Sequence, residues 1–528
     1  MTTPIAPLRV ELSDGTLLVD GRRTLLAGGE LHNSGASTAR EIDRALDAAA
    51  ALGVEVVLAP ISWDLWEPEE GVFDPALVDA MLTGIRSRGL RWIPLWFGSW
   101  KNGMSGYVPR WVTLDRARFP RLQTADGSEV PAITPFADAA SAADATAFAA
   151  LLAHIAVHGA DVVVMVQVEN EVGMLGGARD HGAIASAVWD QPVPGVVVDA
   201  VRRQGHGRLH EALAAADPAR DDWEGLFGDE AAEAFMAAAY ARYIESVAAA
   251  GRRHLDVPML VNAWLDVAPE SDDTALTGGV RAGDYPSGGP LRHTAPIWRA
   301  LAPTIDILAP DIYVGDLDVL CAEYGASSGA LLIPEMRCDA VGLGHMFRAV
   351  GEFGAIGVSP FAVDAVPDDD PDRERLVDGF RLLRETARLL ARFPGARTHG
   401  FALDPDAPRL EFATDSGRVE VDGAHRTATF PVDPPAHGIL LQTEEAWFVI
   451  GRGFAVRWLD EHGTAREILG ADELEIGETS DAVLRRLNGD ERGEWLRMPA
   501  LAQRQIGSMP IRQNLRSSGV VRVVTSTT

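Results

Sequence analysis

The sequence predicts a (β/α)8 barrel, the TIM-barrel class of α/β fold, carrying an appended C-terminal β-domain. Two observations predict it. Between residues 24 and 395 one unit recurs: a short apolar run, a polar turn, then an amphipathic helix. After about residue 398 the long helices stop, and short β-rich segments separated by turn residues take over. The strand candidates in the first region are TLLAGGELH (24–32), VEVVLAPIS (54–62), RWIPLWFG (91–98), VVVMVQVENE (162–171), PMLVNAWL (258–265), IDILAPDIYV (305–314), ALLIPEMR (330–337) and AIGVSPFAVD (355–364). Continuous rather than alternating apolar character marks strands buried on both faces, as in a parallel sheet. Helical stretches at 40–53, 74–89, 141–159, 229–251 and 372–393 lie between and after them. Eight such units are the number that closes a barrel. A doubly wound open sheet is the competitor, but no Gly-rich phosphate turn follows any early strand. The domain expectation is therefore 1–397 for the barrel with an N-terminal strand segment and 398–528 for the β-domain. The β-domain segments are RLEFATD, RVEVDG, TATFPVD, GILLQTE, AWFVIGRG and AVRWLD, with a strand from 8–20 expected to pack nearby.

Composition narrows the function classes. The 528 residues carry a formal charge of −29, which repels phosphate backbones and anionic membranes and disfavours nucleic-acid binding. Two cysteines, Cys321 and Cys338, are too few for a disulfide scaffold. No CxxC or HExxH spacing suggests a metal site, and no cofactor is expected. The opening MTTPIAPLRVELSDG has no long apolar run, and no stretch resembles a membrane span, so a cytoplasmic protein without a membrane partner is the expectation. A homo-oligomer is compatible with the composition, which does not fix the oligomeric state.

In a barrel, residues at the C-terminal ends of strands point into the substrate cleft. The fourth strand ends in Gln167-Val168-Glu169-Asn170-Glu171, and the seventh in Ile333-Pro334-Glu335-Met336-Arg337. Two facing carboxylates are the minimum equipment for cleaving a glycosidic bond, one protonated and one ionised. Either glutamate alone reads equally well as a strand-end ion-pair partner. The Asn170-Glu171 dipeptide combined with Glu335 is more specific, and an oligosaccharide becomes the expected substrate. In the large barrel glycosidase clan that shares this pairing, the acid/base follows an Asn that holds the sugar 2-hydroxyl.

VMVQVENEVGMLG (164–176) resembles the strand-four motif of glycoside hydrolase family 35, the β-galactosidase family. ISWDLWEPEEGVFD (61–74) is similar to its strand-two motif. KNGMSGYVPRWV and RFPR (101–121), with APDIYV and VSPFAVD, resemble a bacterial subgroup with a C-terminal β-domain of uncharacterised role. The resemblance implies a retaining exo-glycosidase acting on terminal β-galactosides, with Glu171 as acid/base and Glu335 as nucleophile. Asp64 and Trp66 stand where the family more often has Asn and His, and Val172 where Tyr is usual. After strand three the family places an Ala-Glu pair that reads galactose hydroxyls; this chain has Gly98-Ser99-Trp100-Lys101.

Further substrate-binding candidates are Asn170, Glu30 and His32 after strand one, Asp64 after strand two, Trp100 in a long loop, Asn262 after strand five and Tyr313 after strand six. Tyr313 is expected to donate a hydrogen bond to Glu335, and Arg337 to support it electrostatically. Glu169 shares strand parity with Glu171 and reads as a supporting group one step deeper. Glu67 reads equally well as a turn residue. Loops 99–140 and 172–228 are far longer than a plain βα turn, and their Trp100, Tyr107, Trp111, Trp189 and Trp223 are sugar-stacking or loop-core residues. Two other functions compete: a β-glucosidase or transglycosylase on other β-linked oligosaccharides, and a non-catalytic sugar-binding barrel.

Overall fold

The computed structural model describes residues 6–268, 279–424, 436–489, 492–501 and 517–526. Its centre is a parallel sheet of eight strands: Leu26–Glu30, Val56–Ser62, Arg91–Lys101, Val166–Asn170, Met259–Trp264, Ile307–Asp311, Leu332–Met336 and Gly357–Pro360. The order is 6-5-4-3-2-1-8-7 in these ordinals. A parallel bridge between Ile312 and Met336 joins strand six to strand seven, where the Ile312 N–H donates to the Glu335 carbonyl at 2.9 Å. The sheet therefore closes on itself as a (β/α)8 barrel. Almost every strand residue is buried, since helices cover the outside and side chains fill the inside.

Local signals set the helices. Thr38 caps Ala39–Leu52 by accepting from the Glu41 N–H, and Gly53 ends that helix at φ +87°, where a side chain would be strained. The helix Asp138–His158 is long and apolar enough to cross a membrane by length and composition, contrary to the sequence expectation. Here it packs against Ala231–Arg252, with Phe148, Leu151, Leu152 and Ile155 buried.

The N-terminal segment is a three-stranded antiparallel meander, Val10–Ser13, Thr16–Val19 and Arg22–Arg23. It packs under the barrel rather than beside the β-domain. Leu17 is fully buried, and the Leu8 N–H donates to Ala160, just ahead of the fourth strand. The apolar residues at 8 and 17 draw it to the strand starts, at the end of the barrel opposite the cleft.

From Arg397 onward the chain forms two antiparallel sheets of six and four strands. Phe401, Val419, Val421, Leu440, Val449 and Trp458 pack together in this domain's own core. Ile439, Leu441, Phe448, Ile450 and Val520 belong instead to the core cluster of the barrel. The larger sheet is thus apolar on both faces, with one face against helices Ala340–Phe353 and Arg373–Arg392. The approach is close: a Cβ on Gly351 would meet Gly400 Cα at 2.5 Å. TATFPVD lies outside the described residues.

Candidate active site

At the C-terminal mouth of the barrel, four carboxylates, two asparagines, a tyrosine and one lysine converge. One oxygen each from Glu171, Asp311 and Glu335 lie within 4.8 Å of one another, and all three residues are buried. Glu335 Oε1 accepts from Asn170 Nδ2 at 3.1 Å and Asn262 Nδ2 at 3.3 Å, and Oε2 accepts from the Tyr313 hydroxyl at 3.0 Å. Asn262 also receives the Glu171 N–H on Oδ1 at 3.0 Å and donates to Asp311 Oδ2 at 2.7 Å. The barrel seam explains this grouping, because pairing Ile312 with the seventh strand sets Asp311 and Tyr313 on either side of Glu335's neighbour.

Replacing Tyr313 with Phe removes one donor from Glu335 Oε2 and little else. A hydrogen bond to a charged group contributes about 1.5–3 kcal/mol, so kcat should fall roughly 10- to 100-fold. Steady-state kinetics beside an unchanged circular dichroism spectrum would check it.

Glu171 is held at φ +47°, a left-handed backbone that costs on the order of 1–3 kcal/mol for a residue with a side chain. Burial, then the negative charge of Glu335, pushes its carboxyl up to about 7, against the opposing pull of Lys101 and a hydrogen bond from Asp311. Glu30 is fully buried, and neither carboxylate oxygen has a hydrogen-bond partner among the described residues. Burial and the charges of Glu335 and Glu171 raise it well above the usual carboxylate range. A neutral Glu30 offers one donor and one acceptor to a hydroxylated ligand.

Lys101 is the residue that strand patterning did not single out. Its ammonium donates to Asn170 Oδ1 at 2.9 Å and lies 5.1 Å from the centre of the Phe97 ring. Burial alone would lower it, but Glu335, Glu171, Glu30 and Asp311 outweigh that effect and hold it above its ordinary value. A bulge in the third strand delivers it. Trp96 pairs with Val168 and Lys101 with Asn170, so the third strand spends five residues where the fourth spends two. The extra residues bulge outward and bind a second pair of acids. The Ser99 and Trp100 N–H groups donate to Glu169 at 2.9 and 2.7 Å, and Ser99 Oγ donates to Asp144 at 2.7 Å. Gly98 is obligatory, since a Cβ there would lie 2.2 Å from Trp96 Nε1 and 2.5 Å from Glu169 Oε1. The Gly98-Ser99-Trp100-Lys101 stretch is therefore a built bulge that places a cation beside Asn170.

Several sequence expectations change. Glu169 and Glu171 do not share a face: φ of +61° at Glu169 and +47° at Glu171 breaks the two-residue alternation. Glu169 instead faces Asp144, whose proximity, after burial, raises it well above the usual range. Trp100 is fully buried in the bulge, edge-on to Tyr240 and Tyr243, with its Nε1 donating to the Ile133 carbonyl, so it offers no ring to a substrate. Trp223 is likewise a loop-core residue, packed on Phe235.

Asp64 lies in the one-turn helix Trp63–Trp66 and lines a separate cavity of about 200 Å3 with Asn33, Ser34, Trp66 and Trp92, outside the glutamate cluster. Arg337 pairs with Asp339 and not with Glu335. Glu67 closes a turn, accepting from Trp63 Nε1 and the Gly71 N–H. His32 is exposed, its N–H donating to Asp364 at 2.7 Å beside Phe361. Asn170, Glu171, Asn262, Tyr313, Glu335 and Glu30 come together; Trp100 and Asp64 do not join them. Asp311, which joins them, carries the same signal in the sequence as Glu335: an acid ending an apolar run.

A family model described as a domain of unknown function (DUF5597) matches residues 376–499, from within the last barrel helix through most of the β-domain. A search of curated proteins finds no match to the chain. Similar solved structures include a β-galactosidase from Bacillus circulans sp. alkalophilus, at 12% identity and a TM-score of 0.48, covering 71% of this chain and 57% of that one. The catalytic domain of a β-amylase from Paenibacillus polymyxa is similar at 12% identity and a TM-score of 0.44, covering 65% of this chain and 94% of that one. An exo-β-1,4-mannosidase from Opitutaceae bacterium strain TAV5 is similar at 16% identity and a TM-score of 0.42, covering 71% and 62%.

Proposed function

We propose that the protein is a retaining exo-β-glycosidase that removes terminal β-galactosyl residues, with Glu171 as acid/base and Glu335 as nucleophile. The observation that carries this reading is the unlike pair of carboxyls with oxygens no more than 4.8 Å apart. Retaining enzymes hold their two carboxyls about 5–5.5 Å apart, whereas inverting ones leave about 6.5–9.5 Å for a water. Glu171 is held up to about 7 and so keeps a proton to give; Glu335 faces three donors that suit an accepting carboxylate.

In the first step Glu335 attacks the anomeric carbon while Glu171 protonates the departing glycosidic oxygen. The carbon–oxygen bond to the leaving group breaks and a glycosyl ester forms. In the second, the Glu171 carboxylate takes a proton from water, whose oxygen attacks the same carbon and expels Glu335. Asn170, bonded to both Lys101 and Glu335, stands where the sugar 2-hydroxyl would meet it.

A β-glucosidase or transglycosylase is the second reading. It rests on Lys101 and the bulge, which replace the Ala-Glu pair that reads galactose in the resembled family. A purely sugar-binding barrel has no need for the carboxyl pair. A panel of nitrophenyl β-glycosides, with proton NMR of the first anomer released, separates these readings. Hydrolysis of the β-galactoside with retained anomeric configuration supports the proposal, and no turnover of any glycoside sinks it. Because the acid must be protonated, kcat/KM should fall as pH rises through about 7, the point at which Glu171 ionises.

A further inference from the structure

The mechanism uses two of the three carboxyls whose oxygens lie within 4.8 Å of one another. Asp311, the third, ends the sixth strand, is buried, and touches both of the others' neighbours. Its Oδ2 accepts from Asn262 Nδ2 at 2.7 Å. Its Oδ1 is buried and receives no N–H or hydroxyl donor among the described residues. One oxygen of Asp311 lies within 4.8 Å of an oxygen of Glu171 and of one of Glu335, and the Asp311 and Glu171 carboxyls interact with each other. Two carboxyl oxygens bind one another only through a proton. A carboxylic acid has one oxygen that accepts and one O–H that donates, which fits the pattern found: Oδ2 receives Asn262, and the buried Oδ1, with no N–H or hydroxyl donor among the described residues, is left to carry the proton. An ionised aspartate would leave Oδ1 with no donor, beside two further carboxylates.

We propose that Asp311 is a positioning residue that stays a neutral carboxylic acid at working pH and donates its O–H to Glu171. Its role rests on the assignment of Glu171 as acid/base. After Glu171 has protonated the leaving group, it is a carboxylate in a buried, acidic pocket. The Asp311 O–H then supplies the donor that stabilises the charge until water is activated. No proton moves from Asp311; it holds its own throughout.

The surroundings agree. Facing Asp311 are Glu30 from the first strand, Lys101 from the third, Glu171 from the fourth, Asn262 from the fifth, Tyr313 after the sixth and Glu335 from the seventh. Burial, then the charges of Glu335, Glu171 and Glu30, push its pKa well above the usual aspartate range, making it a weaker acid.

The test compares D311N and D311A with the wild-type chain in pH profiles of kcat/KM. D311N keeps a donor toward Glu171 and an acceptor toward Asn262, and changes no charge if Asp311 is already neutral. Its alkaline limb should coincide with that of the wild type. D311A loses the donor, so Glu171 should ionise later and the limb should rise by about one to two pH units, the worth of one hydrogen bond to a charged group. Turnover of substrates with good leaving groups should also drop in D311A, because the second step slows.

A limb that falls by about a unit in D311N would mean that a negative charge had been removed, and overturns the proposal. An unmoved limb in D311A overturns it as well. Should D311A fail to fold, D311S serves, since its hydroxyl is too short to reach Glu171. A readout independent of turnover is the carboxyl-carbon NMR signal of labelled aspartates, with Asp311 assigned by its loss in D311N. The signal should stay at the protonated position from about pH 5 to about pH 8. A midpoint inside that range overturns the inference, as does a shift on dialysis against a chelator, since a cation would then join the carboxyls. If the wild-type enzyme turns over no glycoside, the proposed function fails, while the NMR result still decides the state of Asp311.

Discussion

Replacing Glu335 with Gln is expected to abolish turnover of every β-glycoside, by on the order of 10⁴-fold or more. An amide cannot form the glycosyl ester, and the neighbouring carboxyls are placed otherwise: Asp311 is bonded to Asn262, and Glu30 sits on the first strand, two strands from Glu335 in the sheet. Replacing Glu171 with Ala should look different. Substrates with a dinitrophenolate leaving group need little protonation, so the first step survives and the glycosyl-enzyme accumulates for want of a base. Azide, which needs no base, should restore turnover of that variant and release a β-glycosyl azide. Glu335→Ala with azide should give the α-product, since azide then occupies the nucleophile's side. Product anomers by NMR and intact-protein mass spectrometry of the trapped intermediate check both outcomes. Normal activity of Glu171→Ala on poor leaving groups would remove Glu171 from the acid role. Glu169 is then a poor substitute, because it is committed to Ser99 and Trp100 on the outer side of the barrel wall.

Truncation after residue 397 should give insoluble protein. The six-stranded sheet places Ile439, Leu441, Phe448, Ile450 and Val520 in the barrel's own core cluster, so removal uncovers a contiguous apolar surface on the last helices. It also strips buried charges of their partners. Arg452, only 8% exposed at its side chain, pairs with Asp378 of the last barrel helix at 2.8 Å. Truncation leaves Asp378 with Arg381 of its own helix at 2.7 Å and takes away the Arg452 half of the network. Arg388 loses the Ile476 carbonyl, and Arg392 loses Asp481. Soluble yield, then activity of any soluble fraction, measures the outcome. A soluble and fully active 1–397 fragment would show that the β-domain is dispensable.

The local code and the closed barrel contributed differently. Apolar runs long enough to be buried on both faces located all eight barrel strands, because a parallel strand wrapped by helices has no solvent side to mark. Acids ending such runs, Glu171 and Glu335 above all, were visible for the same reason: only the cleft tolerates a charge there. Glu169 and Trp100 were misplaced by that logic. Alternation assumes extended backbone, and positive φ at Glu169 and Glu171 turns one glutamate outward and the next but one inward. The bulge in strand three likewise buries Trp100 and delivers Lys101 five residues after Trp96. Asp64 went to a neighbouring cavity because a single helical turn begins at Trp63. Sequence by itself thus determined the barrel, the β-domain and the placement of Glu171 and Glu335 at strand ends, since these follow from which residues can be buried. Which carboxyl keeps a proton, and which cation balances it, was decided by closing strand six onto strand seven, because charge states depend on neighbours that only the closed barrel brings within a few ångströms.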